Sequence, residues 1–179
     1  METKNKKQKE AVPEMDNGKL REFFIEELKD IYWAEKALCK ALPELMKAST
    51  NKKLGQAFEK HTKETEGQIE ILEQVFQLLG EKAAGKKCEA MEGLVKEAHS
   101  VIEETEEGTY TRDVGLIMAS QKAEHYEIAS YGALIALAQQ LNETKVADLL
   151  QKILDQEKKT DITLSIVAES QVNDKALEE

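Results

Sequence analysis

The stretch KAEHYEIASYG, residues 122–132, places Glu124 and Glu127 three apart in a run otherwise rich in Ala, Ile and Leu. In a helix, residues three or four apart share a face, so both acids fall on the stripe that would ordinarily be buried. The same interruption recurs elsewhere: Glu35 among Leu and Ile, Glu64 three after His61, and Glu157 four before Asp161. An unpaired buried carboxylate is strongly disfavoured, and several converging on one space would also repel one another. Divalent cations resolve both problems, because carboxylates suit hard or borderline metals and two such ions balance four carboxylate charges. A buried salt-bridge network is the alternative, yet these apolar rows contain no Lys or Arg to pair with the acids.

The elements that must position these residues are helices. Apolar residues recur at three- and four-residue spacing from about Leu20 to Ala48, from Lys52 to Leu79, from Cys88 to Glu104, from Thr111 to Leu141, and from Lys145 to Ser170. Asp16 or Asn17 is the expected N-cap of the first, and Gly80 the expected C-cap of the second. Pro43 should kink the first helix or divide it locally. Short breaks at 49–51 and 142–144 make two antiparallel hairpins of long helices, and the roughly thirty residues between them allow a crossover carrying the short helix. No strand-like alternation is present. The rows read Phe24, Leu28, Ile31, Glu35, Leu38, Leu42, Leu45; then Leu54, Ala57, His61, Glu64, Gln68, Ile71, Val75, Leu78. The last two helices give Ile117, Ser120, Glu124, Glu127, Tyr131, Leu134, Ala138, Leu141, and Leu150, Leu154, Glu157, Asp161, Leu164, Ala168. Each is apolar at both ends and polar in the middle.

Composition bounds the rest. A chain of 179 residues, 41% hydrophobic and 34% charged with only 9 Gly and 2 Pro, fits one helical domain. A net charge of −10 argues against nucleic acid, which needs a basic footprint. Residues 1–15, with four lysines in the first ten, are expected to be a disordered basic tail. Residues 16–172 are then the folded domain, and 173–179 a frayed polar end. No apolar run reaches membrane-spanning length and no signal-peptide core is visible, so a cytoplasmic protein is expected. Cys39 and Cys88 form neither a disulfide framework nor a metal-binding spacing.

The two hairpins also repeat. Displacing the first so that Glu35 falls on Glu127 brings the apolar rows into register, and one further step lays Glu64 on Glu157 and Gln68 on Asp161. Inward glutamates on a helix–crossover–helix frame resemble the ferritin-like di-metal carboxylate proteins. More specifically, AEKAL, HTKETEGQ, CEAMEGLVKEA, AEHYEIASYG and EKKTD resemble the YciE/YciF family of bacterial ferritin-like stress proteins, from about Leu20 to Ala168. The resemblance implies an all-α fold: a ferritin-like four-helix bundle with a short fifth helix in the crossover between the second and third long helices. It also implies a homodimer and a centre of two Fe or Mn ions, iron favoured. Carried over by position, the ligands are Glu35, Glu64, Glu124, Glu127 and Glu157. His61 and Asp161 return to the same face and join the candidate set. The usual Glu-x-x-His pattern on two helices is absent, since Gly67 follows Glu64 and Thr160 follows Glu157.

Simpler roles compete at several positions. His61 could be a core histidine hydrogen-bonded to Glu64, and Asp161 could support a ligand rather than be one. Tyr131 packs on the row or binds a ligand carboxylate; Tyr32 and Gln68 are candidates for outer contacts to the ligands. His125 points away from Glu124, and His99 reads as structural. The implied function is redox chemistry of a dinuclear Fe or Mn centre with a small oxidant, peroxide or O2, in a stress response. The alternative is a non-enzymatic protein whose metals stabilise the bundle. A storage or DNA-protecting cage is disfavoured by the charge and the crossover helix.

Overall fold

A computed structural model describes residues 18–179, so the basic tail and the expected N-cap at Asp16 or Asn17 lie outside the described residues. The chain is all-helical there, with no strand among the described residues. The four long helices are α1 (Gly18–Ala48), α2 (Lys52–Leu79), α4 (Tyr110–Gln140) and α5 (Thr144–Val167). The short α3 (Glu89–Glu104) lies in the crossover, and a π-helical turn (Ala168–Val172) leads into α6 (Asn173–Leu177).

Local chemistry accounts for the ends. Asn51 caps α2 by accepting from the Lys53 and Leu54 amides, and Gly80, at φ 72°, closes it in the left-handed conformation that glycine adopts freely. The Cys88 sulfur accepts from the Met91 amide at the start of α3, so Cys88 is a cap and not the first helical residue. Thr109 caps α4 through the Arg112 amide. Buried Arg112 donates to the carbonyls of Ile102 and Thr105, taking up acceptors that the end of α3 leaves open. The tight α4–α5 turn puts Asn142 at φ 61°, a region that Asn tolerates better than most residues.

Pro43 does not divide α1, which runs unbroken through it. Burial of Leu42 and Leu45 on either side offsets the one backbone bond that proline removes. The chain end also differs from the expected frayed segment: α6 forms, and the Glu179 carboxylate accepts from the Tyr110 and Thr111 amides at the start of α4.

α1 packs on α2 and α4 on α5, as two antiparallel hairpins joined through α2–α5 and α1–α4 contacts, while α3 rests on α1 and α4. Aliphatic residues from α1 to α5 and from the π-helical turn form one core, with Phe24, Phe58 and Phe76 fully buried in it. In α2 the buried stripe is Leu54, Phe58, His61, Thr65, Gln68, Leu72, Val75, Phe76 and Leu79. Leu54, His61, Gln68 and Val75 match the row read from sequence, but that row leaned to the other side, toward Glu64 and Leu78. Two phenylalanines decide the rotation, because they carry the larger apolar area. Leu78 is left 49% exposed and Glu64 sits at the margin of the stripe. No helix among the described residues is long and apolar enough to cross a membrane.

Candidate metal centre

α2, α4 and α5 deliver His61, Glu124, Glu127 and Glu157 to one buried spot, with a donor atom of each lying within 4.8 Å of the others. All four are no more than 1% exposed. Glu124 and Glu127 come from consecutive positions on the inner face of α4, as their three-residue spacing requires. α1 adds Glu35, fully buried, whose Oε1 accepts from the Tyr131 hydroxyl. α2 also supplies Gln68, which donates through Nε2 to Glu157 Oε1 and to Gln156 Oε1.

The donor atoms that remain are unpartnered. Both oxygens of Glu127, Oε2 of Glu35, Glu124 and Glu157, and both ring nitrogens of His61 are buried without a hydrogen bond. His61 Nε2 stands 3.1 Å from Glu124 Oε1, close enough for an ion pair but not aligned for a hydrogen bond. Buried polar groups in folded proteins almost always find a partner, so so many in one place mark a site built for something else. One imidazole and four carboxylates are a donor set that suits a borderline divalent ion such as iron or manganese, and the set fits the implied centre.

Electrostatics describe the same demand. Burial, then the charge of Glu157, pushes the Glu35 carboxyl well above its ordinary range. Burial likewise raises Glu127, with Glu35, Glu157 and Glu124 adding repulsion. Glu124 and Glu157 are both raised, chiefly by loss of solvent. Left alone, these acids take up protons; a bound cation would supply the opposing charge instead.

Three of the sequence candidates sit outside the four-residue group: Glu35, buried beside it, and Glu64 and Asp161. Glu64 turns one oxygen to Lys60 Nζ at 2.6 Å, while its Oε2 is buried without a partner. Asp161 is half-buried, accepts from Gln121 Nε2 at 3.0 Å, and lies 3.4 Å from His125 Nε2. Both add negative charge around Glu124 without joining the inner set. His125 is itself largely exposed. Tyr32 does not reach the ligands and donates to Glu73 at 2.8 Å. His99 lies 3.2 Å from Glu44, away from the cluster. Lys60 was legible as an i, i+4 partner of Glu64. Gln121, which binds both Asp161 and Ser165, gave no sign in the sequence, because its role depends on how α4 lies on α5.

Comparison with known proteins places the chain in a family. Residues 19–177 match the family described as a domain of unknown function, DUF892. The chain is 50% identical over 163 residues to Protein YciF of Escherichia coli K12, covering 90% of this chain and 98% of that protein. The crystal structure of the E. coli stress protein YciF superposes with a TM-score of 0.82, covering 86% of this chain and 97% of that one. YcfI of Rhodopseudomonas palustris, provisionally described as a structural protein, is 38% identical with a TM-score of 0.82, over 88% and 99% of the two chains. A protein of Xanthomonas campestris gives 26% identity and a TM-score of 0.69, over 90% and 97%.

Proposed function

The chain belongs to the DUF892 family, and from that membership and the buried cluster we propose a YciF-like stress protein with a dinuclear metal centre. In this reading the fold is a ferritin-like bundle, residues 16–172, with α3 in its crossover. His61, Glu124, Glu127 and Glu157 hold two Fe or Mn ions, iron favoured, with Glu35 closing the set from α1. Glu64 and Asp161 stand at its edge. The convergence of unpartnered, buried His61 and glutamate donor atoms carries the reading. When bound, such ions supply electrons and a Lewis-acid surface to a small oxidant, O2 or peroxide.

The protein's own groups then have definite tasks. Tyr131 fixes one oxygen of Glu35 and so leaves the other free to turn toward the cluster. Gln68 holds one oxygen of Glu157 in the same way. Surrounding apolar side chains from all four long helices exclude water, which strengthens every charge interaction inside.

Anaerobic loading with Fe(II), metal analysis, and then mixing with O2 or peroxide test the reading. Two equivalents of iron and rapid oxidation are expected, both lost in Glu157→Ala and His61→Ala. Glu64→Ala should lose less, since Lys60 already holds one of its oxygens. Oxidation no faster than in Glu157→Ala would sink the redox function. A second reading, metals that only stabilise the bundle, is favoured by how completely the cluster is sealed and by the structural role suggested for the R. palustris relative. It predicts that a chelator lowers the melting temperature while turnover stays absent.

A further inference from the structure

We propose that dioxygen is the oxidant this centre takes, and that it arrives through an apolar chamber between α1, α3 and α4. The inference rests on reading the cluster as a metal centre and names its reactant and route. The chamber is walled by aliphatic side chains such as Leu42, Leu45, Met91 and Leu94, and its only polar members are Ser120 and Glu124. Glu124 also belongs to the converging cluster, so the inner end of the chamber is a wall of the site itself. Ala41 and Val95 line the chamber and also line a surface groove of about 510 Å³ beside Trp33, Lys36, Lys40 and His99. They are therefore the partition between solvent and chamber.

Size and polarity select the occupant. The chamber leaves about 10 Å³ for the centre of a water-sized molecule, room for about one molecule of that size. An organic substrate does not fit. An ion would be stripped of water against aliphatic walls, and no Lys or Arg lines the space. A hydrogen-bonding molecule finds only the Ser120 hydroxyl, which is unpartnered, and Glu124, so peroxide would leave some of its hydrogen bonds unmade. Dioxygen needs none.

The test is the paramagnetic broadening of methyl NMR signals by dissolved O2 in chelator-treated, metal-free protein. Methyls of Leu42 and Leu45, 1% and 2% exposed, should broaden more than those of Leu72 and Ile153, which are as deeply buried but do not line the chamber. Ala41→Leu and Val95→Phe, two independent ways of closing the partition, should abolish the excess at Leu42 and Leu45. In the iron-loaded protein they should slow oxidation by O2. Absence of excess broadening, or its persistence in both variants, overturns the proposal, as does slowing with peroxide and not with O2. If the broadening is present but no iron binds, the metal reading falls while the chamber stands.

Discussion

At the scale of single residues, protons and any bound cation would compete for the cluster. In the metal-free protein Glu124 is raised to about 8 and Glu157 to about 9, from an ordinary carboxyl value of 4.5. A carboxyl raised by folding binds a proton that the unfolded chain has released, so its contribution to stability is full below the unfolded value and fades as pH rises through the folded one. Chelator-treated protein should therefore lose stability steadily from about pH 5 to pH 9 in urea titrations. Added Fe(II) or Mn(II) should restore stability most at the alkaline end, because cations replace the protons. Stability that rises with pH in the chelated protein would contradict the burial of these acids.

At the scale of elements, α3 and α4 meet tightly at Gly115. A Cβ added at Gly115 would lie 2.6 Å from Val101 Cγ1, and Val101 is β-branched and cannot swing aside. Overpacking costs about 1–3 kcal/mol, whereas Gly→Ala in a helix interior returns about 1 kcal/mol. Gly115→Ala should thus be neutral to destabilising alone, and stabilising in a Val101→Ala background, as read by chemical denaturation. Equal effects in both backgrounds would show that this contact does not set how α3 docks. The α1–α2 turn is pinned just as locally: buried Asp113 of α4 accepts from the Thr50 and Asn51 amides at 2.8 and 2.7 Å.

At the scale of the whole molecule, α4 and α5 leave Met118, Ile162 and Ile166 each more than half exposed, near the point where Gln121 binds Ser165. A homodimer, which the family resemblance implies, would cover apolar side chains of this kind. Sedimentation equilibrium should give twice the 20.2 kDa chain mass, and Ile162→Glu with Ile166→Glu should weaken the association. A monomer at tens of micromolar would overturn the expected dimer.

Helical periodicity and the turn residues were enough to draw the long helices, because both are local: α2 begins and ends at the residues expected, with its C-cap at Gly80, and the break before it supplies Asn51 as the N-cap. The acids at 35, 124, 127 and 157 were legible for the same reason, as charges on otherwise apolar rows. Which side of each row faces inward is a different kind of fact. In α2 the alternatives shared Leu54, His61, Gln68 and Val75, and only the burial of Phe58 and Phe76 against the neighbouring helices chose between them. That choice put Glu64 at the margin beside Lys60, brought His61 against Glu124, and left the unpaired donor atoms in one place. Periodicity fixes a helix and its stripe; the rotation of that stripe by a fraction of a turn is set by packing, and the buried cluster of His61 and glutamates depends on that rotation.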